Sequence, residues 1–482
     1  MIHRLGWLLI GLTAFGAAES LPDKIRTLLE TSPVAQRGFV GVQIVDLESG
    51  ETLFESGEKR YFVPASNTKL FTTALGLMRL GPDHRFHTMV VAAQPPDAEG
   101  RIAASITLVG AGDPNLSGRA IPYRVNGPPP EPLTAIEELA AQIVASGVKR
   151  IDGDVIGDDT AFLYEPFPDG WALNDPLWEY GAPVSALSVD DNTFTLTVRP
   201  GNPARVSLRP ALDYFRIDNR VREGAARQVR IDREPGSNVL RIWGEMPAKD
   251  AGLSRSLAVD DPALYAAETL RDALVRRGVA IRGRAVARHF FPGDSPPAPP
   301  AGTELARRTS PPLLESLRVI DKVSQNLHAE MLLRSVGRAR RQTGSMATGL
   351  AELHEFLTEA GIDPQEVRFR DGSGLSRMNL VTPAAIVRLL RYMYASAQRE
   401  QWMALLPVGG EDGTLRLRMQ NTAAARRIHA KTGSLAHVAA LSGYANRAGG
   451  GTLGFSILTN NQAAPAGEAR ALIDRICVLM VE

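Results

Sequence analysis

The chain has 482 residues, too many for one ordinary domain and enough to bury a substantial core. Hydrophobic residues make up 44%, charged residues 22%, and the formal net charge is +1, a globular composition with no excess of either sign. That balance gives no support to a nucleic-acid partner or any other polyanion.

At the N-terminus, His3 and Arg4 precede an apolar run from Leu5 to Phe15 and small residues at Gly16, Ala17 and Ala18. This reads as a cleaved secretory signal over 1–18, because the run is shorter than the ~20 residues a spanning helix requires. No later segment is apolar enough to span a bilayer, so no transmembrane anchor is expected. The single cysteine, Cys477, rules out an internal disulfide framework and, among Ile473, Ile476, Leu479 and Met480, reads as a small buried hydrophobe. An export signal without disulfides fits a bacterial periplasm.

Phe39 to Phe54 reads as two β-branched strands joined by a turn at Ser49 and Gly50. Pro64 then leads into a helix on which Leu70, Ala74, Leu77 and Met78 recur at helical spacing until Gly81. Ser66 and Lys69 share one face at its N-terminal end. From about Arg85 to Glu304 the texture changes to short β-like runs such as "IAASITLVG" and "NVLRIWGEM", which read as one or two inserted β-rich modules. Proline-rich breaks, "NGPPPEP" and "FPGDSPPAPPAG", mark an excursion and a linker.

Beyond the linker, "PPLLESLRVI" and "NLHAEMLLRSV" have helical spacing, with "DKVSQN" at their junction. A helix from Thr348 to Gly361, the loop "RDGSGLSRMN" and a helix after Pro383 follow. Three strands and a closing helix end the chain. Strands at both ends with helices between them predict an α/β (α+β) domain made of 19–84 and 305–482, split by the insertion at 85–304.

Three short motifs carry the chemistry. A serine hydroxyl is a poor nucleophile until a base takes its proton, and a lysine can be that base when burial or another cation depresses its pKa. Ser66 and Lys69, one helical turn apart, meet the distance requirement, and the positive field of a helix N-terminus favours an alkoxide. Taken alone the spacing is weak, since a chain this long yields on the order of two such pairs by accident. "SQN" adds Ser324 and Asn326, a hydroxyl and an amide at a turn, and "KTG" adds Lys431, Thr432 and Gly433 where a strand begins. Each has an ordinary reading as a helix cap or strand edge. All three in this order, on a helix, an interhelical loop and a strand, rarely arise together by chance.

The set resembles that of penicillin-recognising serine acyl-transferases. The long stretch between Lys69 and Ser324 exceeds a simple β-lactamase helical domain. The chain is similar to the D-alanyl-D-alanine carboxypeptidase/endopeptidase family of class C low-molecular-mass penicillin-binding proteins, serine peptidase family S13. "GAGDPNL", "IDGDVIGDDTAF", "SALSVDDN", "DGSGLSRMNLVTP" and "LPVGGEDGTL" match that family as well.

The resemblance implies a serine β-lactamase/transpeptidase-like fold and a periplasmic enzyme acting on peptidoglycan stem peptides and crosslinks, acylated by β-lactams. It implies Ser66 as nucleophile, Lys69 as its base, a proton relay through Ser324 and Lys431, and Asn326 holding Lys69 and the substrate amide. Lys431 and Thr432 would hold the D-alanine carboxylate, with Gly433 beside them. The backbone N–H groups of Ser66 and Ser434 would form the oxyanion hole. Asp175 and Arg377 match positions that read a diaminopimelate side chain. Ala436 stands where some relatives have glutamine, a departure within the substrate pocket.

No metal or organic cofactor is expected. "HEFLT" at His354 lacks a zincin's second histidine, "HAE" at His328 lacks a deaminase's cysteines, and both histidines read as helix-surface residues. "GAGDPN" lacks the third glycine of a dinucleotide fingerprint, and "DGSGL" lacks the first glycine of a nucleophile elbow. Two other readings stay open: a β-lactamase or D-amino peptidase on the same scaffold, and a catalytically weak cell-wall-binding protein. The oligomeric state, a homodimer included, is not written in the sequence.

Overall fold

The computed structural model describes residues 19–124, 127, 130–298 and 301–482. The leader expected over 1–18 lies outside these residues, as do parts of both proline-rich breaks. Among the described residues no helix is long and apolar enough to cross a membrane.

The two ends of the chain meet in one antiparallel sheet whose strand order is Ile428–Leu435, Val438–Asn446, Thr452–Asn460, Phe39–Asp46, Thr52–Ser56. Strands 438–446 and 452–460 are buried almost throughout. Their near-continuous apolar and small-residue runs follow from having both faces covered. Helices Leu21–Thr31 and Ala466–Val481 pack on one face, with Cys477 fully buried between them and the sheet. Helices Thr68–Leu80, Leu313–Lys322, Asn326–Arg341, Met346–Glu359 and Pro383–Ala395 form the core on the other. Both cores are pinned by the sheet's side chains. The Trp402 indole donates to the Tyr444 hydroxyl at 2.9 Å, which donates to the Leu390 carbonyl at 2.8 Å, all buried.

Between the strands of this sheet the chain makes a long excursion with its own core, from Val90 to Ala306. A five-stranded mixed sheet runs Ala285–Phe290, Val155–Leu163, Ile106–Val109, His87–Ala92, Thr303–Thr309, and three three-stranded sheets accompany it. The excursion is not β alone. Helices Thr134–Ala145 and Pro262–Arg276 pack against the larger sheet. Both have local causes: Ile136, Leu139, Ala140 and Ile143 lie on one buried face, and Asp261 caps the second helix by accepting from the Leu264 N–H, with Pro262 at its first position.

The excursion returns to the helical side through a small apolar joint: Phe162, Ala182, Val184 and Ala258 pack on Leu327 and Met331. That joint brings the loop from Phe167 to Gly181 to the start of helix Asn326–Arg341.

Tyr444→Phe leaves the Trp402 indole N–H and one Leu390 carbonyl lone pair buried without partners. The expected cost is about 1–3 kcal/mol of unfolding free energy at unchanged far-UV circular dichroism. Denaturant titration measures it, and wild-type stability would show that the pair does not hold the sheet to its helices.

Candidate active site

Ser66 sits in a short turn, Ala65–Asn67, that feeds helix Thr68–Leu80. The preceding residue, Ala65, has φ of +47°, a left-handed conformation that a non-glycine residue keeps only when its surroundings enforce it. Gly374, at φ of +84°, supplies the enforcement: a Cβ there would stand 1.9 Å from the Ala65 carbonyl oxygen. On the other side Gly433 lets the edge strand pass close, since its Cβ would fall 2.6 Å from the Pro64 carbonyl and 3.2 Å from the Ser66 nitrogen.

The Lys69 amine is fully buried and lies 3.0 Å from the Ser66 hydroxyl, 2.6 Å from Asn326 Oδ1 and 2.6 Å from the Ser373 carbonyl. Burial, then the charge of Lys431, brings its pKa down from 10.5 to about 7, against the opposing pull of Asp371, Glu330 and Asp321. In the neutral form its two hydrogens suit the two carbonyl oxygens, and its lone pair is left to accept from the Ser66 hydroxyl.

A second serine–lysine couple stands beside the first. The Lys431 amine, also fully buried, donates to Ser324 Oγ at 2.9 Å and to the Thr432 carbonyl at 3.1 Å. Burial lowers its pKa to about 8, with Asp321 opposing. Ser324 lies in the left-handed region, φ of +67°, at the junction between two helices. Asp321 is itself fully buried and is pushed up to about 7 by that burial. Neither of its oxygens has a hydrogen-bond partner among the described residues, and the Thr73 hydroxyl donates to the Lys69 carbonyl at 2.7 Å instead. Thr432 donates its hydroxyl to Thr414 at 2.8 Å, and Lys431 to Ser434 run along the outer strand of the sheet.

All ten residues singled out from the sequence surround one region. Ser66, Asn326, Asp175, Arg377 and Ser434 line a cavity of about 300 Å³, with Tyr180 at its edge. Asp175 and Arg377 form an ion pair at 2.8 Å. The acid is buried, accepting also from the Ala172 N–H, and the arginine side chain is 44% exposed. Ala436 lines the same cavity. A larger cavity of about 670 Å³ lies between helices 21–31 and 466–481 and shares no lining residue with it.

Sequence reasoning missed what holds these groups. Asp371 accepts from the N–H groups of Gly374 and Ser376, the Asn379 amide, the Ser373 hydroxyl and the Trp171 indole, which fixes the loop that offers the Ser373 carbonyl to Lys69. Glu330 accepts from the N–H groups of Gly372 and Ser373 at 3.0 and 2.8 Å and pairs with Arg334 at 3.2 Å. Burial, then the charge of Asp371, pushes its pKa up to about 7. The acid and base four residues apart were a legible signal.

His328 corrects an expectation: it is fully buried, not on the helix surface. Its Nε2 lies 2.8 Å from Asp191 Oδ1. Asp191 also takes Arg119 at 2.6 Å and the Gln325 amide at 3.0 Å. Burial opposes ionisation of Asp191, yet Arg119 and His328 hold it well below the usual carboxylate range. The middle residue of "SQN" is thus tied to the insertion. Among the described residues no group of three or more His, Cys, Asp or Glu side chains is placed to hold a metal ion.

The family model for D-Ala-D-Ala carboxypeptidase 3 (S13) matches residues 21–478. A D-alanyl-D-alanine carboxypeptidase of Actinomadura sp. (strain R39) is 36% identical over 98% of this chain and 89% of its own length. The crystal structure of penicillin binding protein 4 (dacB) from Haemophilus influenzae superposes with a TM-score of 0.81 at 23% identity, covering 95% of this chain and 98% of that one. The same Haemophilus protein complexed with a β-lactam gives a TM-score of 0.76 at 22% identity, covering 95% and 98%.

Gly374→Ala should cost substantially more than the roughly 1 kcal/mol that alanine pays at a positive φ, because its Cβ also meets the Ala65 carbonyl. Gly361→Ala, at φ of +69° with nothing within 4 Å, is the control for backbone strain alone. Equal losses for the two in denaturant unfolding would show that Gly374 does not brace the serine turn.

Proposed function

The chain belongs to the D-Ala-D-Ala carboxypeptidase 3 (S13) family, and on that premise we propose that it is a periplasmic serine-type D-Ala-D-Ala carboxypeptidase and D,D-endopeptidase of peptidoglycan. The observation that carries the reading is the pair of neighbouring serine–lysine couples, each with a fully buried amine, of which Ser66 lines the cavity together with Asn326.

Ser66 attacks the carbonyl of the penultimate D-alanine while neutral Lys69 takes its proton. The backbone N–H groups of Ser66 and Ser434 receive the oxyanion, a preorganised pair whose loss typically costs ~100-fold or more in rate. The departing amine is protonated through Ser324 from Lys431, which leaves an acyl ester on Ser66. Asn326 holds Lys69 by its Oδ1 and turns its amide nitrogen to the Tyr180 carbonyl at 2.8 Å. The terminal D-alanine carboxylate rests against Lys431 and Thr432, where cationic and hydroxyl donors suit an anion. Gly433, which has no side chain to intervene, keeps that strand against the serine turn. Water then hydrolyses the ester.

A crosslink presents the same acyl group with a different leaving amine, so one site serves both activities. A β-lactam acylates Ser66 by the same attack, and its ring nitrogen stays tethered. The Asp175–Arg377 pair offers one acid and one base to a zwitterionic diaminopimelate tip, which replaces their mutual contact with two new ones. The apolar N-terminal run supports export to the periplasm.

The test uses purified protein with a diaminopimelate pentapeptide and with crosslinked dimers. The reading expects D-alanine released from the first and monomers from the second, with neither product from Ser66→Ala. Products formed equally by Ser66→Ala would overturn it. Arg377→Ala is expected to lower kcat/KM for the diaminopimelate peptide about 10- to 100-fold, and much less for a peptide whose third residue lacks the charged tip. An equal loss on both peptides would remove Arg377 from side-chain recognition.

A further inference from the structure

A second cleft opens on the insertion. It encloses about 410 Å³ between strands Gln228–Asp232 and Leu253–Ala258, each the outer strand of its three-stranded sheet. Trp178 and Trp243 line it, with Arg227, Arg230 and Arg255 against a single acid, Asp232. Trp243 is 39% exposed although it is one of only five tryptophans in the chain, and it stands directly across the strand pair from Arg230. The exposed part of the Trp243 indole stands free at the wall of the cleft. Its flat, electron-rich face suits the C–H face of a sugar ring, whose hydrogens carry the complementary partial charge. Arg227 pairs with Asp250 at 3.4 Å, and the guanidinium groups of Arg230 and Arg255 suit carboxylates.

This cleft and the catalytic cavity share no lining residue, but one short segment contributes to both. Asp175 and Tyr180 line the catalytic cavity, Trp178 lies between them in sequence, and Trp178 lines the second cleft. The segment is held on both sides. The Tyr180 carbonyl accepts from Asn326, and Trp178 bridges to Leu257. A polymer with a peptide in the first cavity therefore has its backbone within reach of the second.

We infer that the Trp178–Trp243 cleft binds the glycan strand of the peptidoglycan, a polysaccharide bearing carboxylate-containing substituents, while its stem peptide occupies the site at Ser66. This inference rests on the carboxypeptidase reading for the identity of the polymer. The aromatic faces take sugar rings and the arginines take carboxylates along the strand. The cleft thereby favours polymeric over free-peptide substrate.

The test measures cosedimentation of the Ser66→Ala chain with insoluble peptidoglycan, alone and with Trp243→Ala or Arg230→Glu added. Each added change is expected to weaken binding about tenfold, and peptide-free glycan strands are expected to compete. Unchanged binding in both variants, or competition by free stem peptide alone, would overturn the inference. The latter outcome would instead assign the cleft, with its two outer strands, to an extended peptide. In chains that keep Ser66, the same two changes should leave acylation by benzylpenicillin, which carries no glycan, within about twofold of wild type, and a parallel loss would mean that the substitutions act through the fold. Failure of the unmodified chain to be acylated would strike the carboxypeptidase reading and leave the binding result standing.

Discussion

Two lysine amines buried side by side are the constraint on which the rest of this structure depends. An ammonium taken out of water costs several kcal/mol unless it is paired, so the group yields its proton instead. Lys69, at about 7 rather than 10.5, carries a difference on the order of 5 kcal/mol between its two protonation states. Its folded-state pKa is depressed, so the unfolded chain binds the proton more tightly between about 7 and 10.5. Through this group stability rises with pH across that window and is lowest below it. The destabilised ammonium is also what makes the amine a base near neutrality.

Such an amine is useful only if it is aimed, and most of the surrounding polar network does the aiming. Asp371 and Glu330 fix the loop that offers the Ser373 carbonyl, Asn326 offers its amide oxygen, and the remaining direction is toward Ser66. The insertion takes part in this from outside. Asp191 reaches Gln325 and His328, and the Tyr180 carbonyl reaches Asn326, so two of the three "SQN" residues are hydrogen-bonded to side-chain or main-chain groups of the inserted segment. The long excursion is built into the site's geometry as well as adding surface.

Much of the architecture was legible because its signals are local. The β-branched pairs at both ends gave the split sheet, and helical spacing after Pro64, Pro311 and Pro383 gave the helices that carry the motifs. Ser66, Lys69, Ser324, Asn326, Lys431, Thr432 and Gly433 could be chosen because three short motifs stand in one order on the chain, whereas Ser434, Asp175 and Arg377 came only through the family resemblance. The supporting shell was less legible for a physical reason: apart from the Glu330–Arg334 pair one helical turn apart, Asp371, Glu330, Asp191 and His328 act through contacts across distant segments, and nothing in their neighbours reports those partners. His328 looked like a surface residue because its helix carries Glu330, Arg334 and Arg338 nearby, yet two of those are buried with it in ion pairs or hydrogen bonds. The helices at 134–145 and 262–276 were hidden by strand-like runs on either side of them.

The claim that a neutral Lys69 activates Ser66 is tested most directly by the pH dependence of acylation by benzylpenicillin, followed by intact mass and with the modified peptide sequenced. The account predicts one adduct, on Ser66, formed at a rate that rises with pH through about 7 as Lys69 loses its proton. A rate that climbs only as pH approaches 10, or an adduct on another residue, would contradict it.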